Sequence, residues 1–178
     1  SLGAILRHSA FIPLCLLQMF YMSGHQTLFG NWFQLFLQRT NPAVYSESFT
    51  ATCMTVYWFG MLGSRLLSMF LAERVTPRQF ITVGSAGGVA GQLLGVLGGA
   101  RAVWVFVCLL LGLCTGGIYP LTFSISISYF PQNSARITSM LSIISSVGGI
   151  LLSLLMGELA ELSLFAAMFL PVACLAIV

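Results

Sequence analysis

Six long apolar runs, at about 10–38, 48–72, 79–99, 102–129, 134–158 and 162–178, leave this chain few ways to fold. Short charged or proline-bearing stretches separate them, and the longest, 39–47, contains the turn pair Asn41–Pro42. A hydrocarbon core of ~30 Å takes about 20 apolar residues rising ~1.5 Å each, so each of the first five runs is long enough to cross one. The sixth barely reaches and reads as cut short. A chain that starts at Ser1 and stops at Val178 inside an apolar run reads as part of a longer polypeptide.

Composition supports the same class. The chain is 58% hydrophobic and 6% charged, with a mean hydropathy of +0.97, whereas a soluble domain carries about 25% charged residues. An all-α polytopic membrane protein embedded in a lipid bilayer is the expected fold class. The net charge of +3, carried by scattered arginines, is too small for a nucleic-acid surface. All five cysteines lie within apolar runs without metal-ligand spacing, so they read as small buried hydrophobes, and no metal or cofactor is expected. No secretory signal followed by a soluble domain is visible.

The first run carries polar residues that a lipid-buried helix has no reason to keep. At 100° per residue Gln18, Tyr21, His25, Phe29 and Trp32 share a stripe roughly 80° wide. Polar groups at mid-membrane are costly, and they are tolerated where they face a wet cavity or a partner. Gly24 and Gly30 loosen the helix beside them. The run is expected to line a cavity. The fourth run resembles it: Thr115, Tyr119, Thr122 and Ser126 share a face, and Gly112, Gly116, Gly117 and Pro120 interrupt the helix.

Small residues recur every four positions in the other runs. They are Gly87, Gly91, Gly95 and Gly99 in the third, Gly60, Ser64, Ser68 and Ala72 in the second, and Ser145, Gly149, Ser153 and Gly157 in the fifth. Such stripes let helix backbones approach closely in lipid. In the third run they are expected to pack within the bundle. In the second and fifth they serve either packing or a sliding surface between moving parts. Run one thus corresponds to run four and run two to run five, the pattern of two inverted three-helix repeats found in secondary transporters, with the site on broken helices near mid-membrane.

Arginines set the orientation. Arg7, Arg74, Arg78 and Arg136 fall on one side, while Arg39 and Arg101 fall on the other with Glu47, Glu158 and Glu161. The positive-inside rule places the N-terminus of the chain in the cytoplasm. Arg65 is the one arginine deep in a run. Either it holds a gate or interdomain contact, through a helix C-terminus, backbone carbonyls or an acid elsewhere, or it snorkels to the interface.

These residues also carry a family resemblance. Gly24-His25-Gln26 with Gly30-Asn31-Trp32 resembles the Gly-x-Glu-x-x-x-Gly-x-Trp pattern that opens the seventh helix in a major facilitator superfamily branch related to fucose–proton symporters. Tyr57-Trp58-Phe59-Gly60 through Gly63-Ser64-Arg65, then Glu73-Arg74 and Pro77-Arg78, is similar to the region between its eighth and ninth helices. Gly116-Gly117-Ile118-Tyr119-Pro120 resembles its tenth helix, and Gly148-Gly149 through Gly157-Glu158-Leu159-Ala160-Glu161 its eleventh. The resemblance spans essentially the whole chain and implies the C-terminal six-helix half of a twelve-helix plasma-membrane carrier. It departs at one position. Gln26 stands where the family has a glutamate, and an amide cannot carry a proton. His25 beside it could, with an ordinary pKa near 6.5, but the two lie ~100° apart on an ideal helix. A neutral His25 hydrogen-bonded to a neighbouring helix is the other reading.

Other functions fit poorly. Asn41-Pro42-Ala43 matches one copy of a water-channel tripeptide, but channels of that kind need two at mid-membrane. No serine is framed for a histidine base, no carboxylate pair is present, and no run carries an acidic ring or filter loop, so neither enzyme nor ion channel is expected. Three classes remain: a carrier half that moves a small polar, sugar-like solute by alternating access against a matching N-terminal half; a transporter-derived scaffold or sensor; and a six-helix protein that dimerises to form a pore. The candidate pathway residues are Gln18, Tyr21, His25, Gln26, Trp32, Tyr57, Trp58, Thr115 and Tyr119. The candidate gate or interdomain residues are Arg65, Gly60, Ser64, Ser145 and Gly149, on runs expected to face the other half.

Overall fold

The structure, a computed structural model, describes residues 2–71 and 73–178, and the described residues form helices without a strand. A short helix α1 (Leu2–Leu6) precedes a continuous rod made of α2 (Phe11–Gln18), a π-helical segment (Met19–Thr27) and α3 (Leu28–Thr40). Next come α4 (Glu47–Leu71), α5 (Pro77–Gly98), α6 (Arg101–Thr115) and α7 (Ile118–Tyr129). A 3₁₀ turn at Pro131–Asn133 leads into α8 (Ser134–Leu162), and α9 (Leu164–Ala167) and α10 (Phe169–Ile177) close the chain. Ala72, the last member of the small stripe on α4, lies outside the described residues.

Local chemistry sets the ends. Thr76 caps α5 by accepting the Gln79 N–H at 3.3 Å, Gln79 returns its side chain to the Thr76 N–H at 3.1 Å, and Pro77 fills the first turn. Gly99 closes α5 with φ +63°, a left-handed conformation that favours glycine. The small-residue ladder of α5 therefore ends at Gly95; Gly99 is exposed and has no heavy atom near its missing Cβ. Pro120 and Pro171 each stand third in the helix that follows a break, where a missing N–H costs nothing.

Both breaks are held by neighbouring side chains. At Gly116–Gly117, Ser64 Oγ accepts the Gly117 N–H at 2.9 Å, and Arg65 Nε makes a long 3.5 Å contact to the Gly116 carbonyl. At Met168, Gln92 donates to the main-chain carbonyl at 3.4 Å. The breaks free backbone groups, and polar residues on α4 and α5 take them up.

Packing centres on α6, which lies between α4 and α5, while the π-segment lies against α8 and α10. The α4–α6 contact is backbone on backbone: a Cβ on Gly60 would fall 2.7 Å from the Leu109 carbonyl, and one on Gly116 would fall 2.6 Å from Met61 Cα. This corrects the expectation for Gly60 and Ser64. Both are buried between α4 and α6 of this chain, not on a surface facing another half. The face that α4 turns outward carries Phe59, Leu62 and Leu66, with Thr52, Thr55 and Arg65 exposed beside them.

Three buried clusters run along the bundle. An aromatic one around Phe29, Phe33, Phe36, Tyr57 and Trp104 lies at one end, and one around Phe11, Leu14, Phe130 and Ile137 at the other, with Tyr21, Ile81, Ile118 and Leu175 between. Large apolar side chains also cover much of the outside, among them Met69, Phe70, Leu97 and Leu162. Among the described residues, Pro77–Gly98, Arg101–Tyr129 and Pro131–Leu162 are long and apolar enough to cross a membrane. The first rod and α4 are not among them: Gln18, Ser23, His25, Gln26 and Thr27 dilute the first, and Thr50, Thr52, Thr55 and Arg65 the second.

Candidate functional site: a polar groove along a π-helical rod

The site grows from the composition of residues 18–34. Ser23, Gly24, His25, Gln26 and Thr27 follow one another, and here the helix widens to hydrogen bonds five residues apart. Thr27 Oγ1 donates to the Met22 carbonyl, five residues back, at 2.7 Å. Two further side chains tie the segment to its neighbours: Tyr21 OH donates to the Thr115 carbonyl at 2.8 Å, and Ser23 Oγ to the Ser145 carbonyl. Gly24 permits close approach to α10, since a Cβ there would lie 2.6 Å from that of Cys174.

The expected cavity stripe turns inward. Gln18, Tyr21, His25 and Phe29 are buried, and His25 lies between Tyr21 and Phe29 with ring centroids 6.3 and 6.0 Å away. Phe29 continues the aromatic layer to Tyr57 at 5.3 Å. Neither ring nitrogen of His25 has a hydrogen-bond partner. Trp32 is half-buried against the aromatic core. Aromatic rings that fit one another leave no room for water, so this face is core.

The groove opens one face further round. Its first part, about 310 Å³, is lined by Gln18, Met22, Ser23 and Thr27 from the rod, Tyr119 from α7, and Ser142, Ser145, Ser146 and Gly149 from α8. A second pocket, also about 310 Å³, meets the first at Thr27 and is lined by Gln26, Gly30, Asn31 and Gln34, with Met54 and Trp58 on α4. No lining residue is charged. Gln18 Oε1, Gln26 Oε1 and Ser145 Oγ are buried without a hydrogen-bond partner. The hydroxyl and amide groups that do line the groove suit water or a polar solute.

Of the candidate pathway residues, the groove gathers Gln18, Gln26, Trp58 and Tyr119, and it leaves Tyr21, His25, Trp32, Tyr57 and Thr115 behind its wall. Of the candidate gate residues, Ser145 and Gly149 line it, Gly60 and Ser64 do not, and Arg65 sits at the Gly116 break. No family model, curated protein or solved structure matches this chain. The groove must therefore be read from its own chemistry. Ser23, Thr27, Asn31, Gln34, Ser142 and Ser146 complete it and were missing from the sequence expectation. A signal was present: positions 23, 27, 30, 31 and 34 repeat at helical spacing beside the aromatic stripe, and 142, 145, 146 and 149 do so on α8. Among the described residues no three metal-ligating side chains come together, and all five cysteines are free.

Proposed function

We propose that this chain is the C-terminal six-helix half of a major facilitator superfamily carrier, in the branch related to fucose–proton symporters. It moves a small neutral polar solute, sugar-like by preference, by alternating access. The observation that carries the reading is a pair of uncharged pockets meeting at Thr27, lined largely by hydroxyl and amide side chains, on a bundle whose outside bears many large apolar side chains. A lipid-facing surface has no use for such a polar lining, whereas a pathway closed by a second half would use it. In this reading the six helical rods form two inverted repeats of three, and the two rods that depart from regular α-helix near their middles, Phe11–Thr40 by its π-segment and Arg101–Tyr129 by its break, would occupy corresponding places in them. The protein sits in the plasma membrane with the N-terminus of this chain in the cytoplasm.

Gln26 at the edge of the groove cannot ionise, and no carboxylate lines it. Any proton carrier then belongs to the other half. Full-length protein in proteoliposomes, tested with labelled neutral sugars and polyols against amino acids and anions, is expected to take up members of the first group only. His25→Gln should keep that uptake and its pH dependence. Folded protein that moves nothing in the neutral group would contradict the carrier reading, and loss of all proton-driven accumulation in His25→Gln would make His25 the carrier.

A further inference from the structure

We propose that a cavity between α2, α5 and α7, at the arginine-rich end of the bundle, binds one glycerophospholipid with an anionic headgroup, its phosphate on Arg78 and its acyl chains over Leu17, Ile81 and Ile125. The proposal rests on the membrane-spanning reading of the helices and needs no solute transport. The cavity measures about 730 Å³, more than twice either groove pocket, and shares no lining residue with them. Its lining is layered. Ser9, Thr76, Arg78, Ser128 and Tyr129 stand where α2 and α5 begin and α7 ends, and together they make a polar rim. About one turn further in, ~5.4 Å along the same helices, come Pro13, Leu14, Ile81 and Ile125, with Thr82 the one hydroxyl at that depth. Leu17 lies deeper still.

Local contacts hold the rim together. The His8 ring lies 5.8 Å from that of Tyr129 and 4.9 Å from that of Phe130, which sets the turn before α2 against the end of α7. The Ala10 N–H donates to His8 Nδ1 at 3.2 Å, and Ser9 is exposed between the two. Arg78 is exposed at the opposite side of the rim, on the first turn of α5. A guanidinium offers a planar fork that two phosphate oxygens fit. Charge at this end favours an anion: Arg7, Arg74, Arg78 and Arg136 stand here with one carboxylate, Glu73, while Glu47, Glu158 and Glu161 stand at the far end. A soluble anion would use the rim alone. The apolar layer beneath calls for hydrocarbon, and a lipid at the membrane interface brings headgroup and chains in that order. Tyr129, with its ring at the rim, suits the same interfacial level.

Full-length protein in phosphatidylcholine vesicles, doped with phosphatidylglycerol that carries a diazirine near the glycerol end of an acyl chain, tests this by photolabelling and peptide mass spectrometry. Crosslinks should concentrate in residues 9–17, 76–82 and 125–129. The same diazirine on a phosphatidylcholine should label those segments at least threefold less. Unlabelled phosphatidylglycerol should compete, and inorganic phosphate should not. Arg78→Gln, an exposed change that leaves the packed core alone, should cut phosphatidylglycerol labelling there at least threefold, while Arg101→Gln at the far end leaves it unchanged. Equal labelling by both probes would mean ordinary lipid contact and overturn the site. Labelling that survives Arg78→Gln in full overturns the headgroup assignment, and with it the proposal. Competition by inorganic phosphate would make this a soluble-anion site, and protection from both probes would mean that protein covers the cavity; either result overturns the lipid.

Discussion

Replacing Gly112 with leucine is expected to abolish folded protein. A Cβ at this position would lie 2.8 Å from the Met61 nitrogen and 2.9 Å from Gly60 Cα, and closer still to the Tyr57 carbonyl. These are backbone atoms of α4, which cannot swing aside as a side-chain tip can. Overpacking a core usually costs ~1–3 kcal/mol, and a clash between two backbones belongs at or above the top of that range. Three other glycines grade the effect. Gly91 would meet only the tip of Leu110 at 3.2 Å, and Gly149 only Ser23 Oγ at 3.8 Å, while Gly157 has open space. Leucine at 157 should be neutral, at 149 it should narrow the groove without unfolding the chain, and at 91 the loss should be intermediate. Monodisperse yield in detergent for the four variants checks this order. Normal yield for Gly112→Leu with collapse of Gly157→Leu would reverse it.

Trp104→Ala should be nearly as severe, with a loss of about 3–5 kcal/mol for truncating a large buried aromatic. The indole is buried at the centre of the aromatic cluster, edge-on to Phe33 at 5.2 Å and Phe36 at 6.1 Å. It fills the space above Gly95, where a Cβ would lie 2.6 Å from the ring. Gly95→Ala alone should therefore destabilise, but in the Trp104→Ala background it should recover part of the loss. That sign change, read from thermal midpoints of the four proteins, is a coupling that independent sites do not show. Additive losses would mean the two residues are not in contact.

The helices were legible because apolar length and a few stop signals suffice for them. Thr76-Pro77 opens α5 and Gly116-Gly117 with Pro120 breaks the fourth rod, as their residue chemistry dictates. The faces were harder to read. The aromatic stripe of Tyr21, His25 and Phe29 and the polar stripe of Ser23, Thr27, Asn31 and Gln34 lie side by side on one rod, and periodicity does not say which neighbour meets which. Aromatic complementarity with Tyr57 and Trp104 on other helices decided it, burying the first stripe and leaving the second open. The small stripe of Gly60 and Ser64 had two uses open to it, and the Gly116–Gly117 break settled the matter by requiring a hydroxyl at Ser64. The π-segment has no pattern of its own in the sequence, since it depends on partners at Ser145 and Thr115.

The groove is the heart of the functional reading, and its access to water is directly measurable. Cysteines at Asn31, Gln34 and Ser146 on the groove, at Leu154 and Phe70 on the apolar exterior, and at Phe33 in the core would be compared in full-length, membrane-embedded protein. A charged, membrane-impermeant thiol reagent is expected to modify the three groove positions and to spare the other three. Exterior positions would be shielded by lipid and Phe33 by packing, so only a water-filled pathway produces that division. Protection at Asn31, Gln34 and Ser146 together, in protein shown to be folded, would contradict a solute pathway along this face.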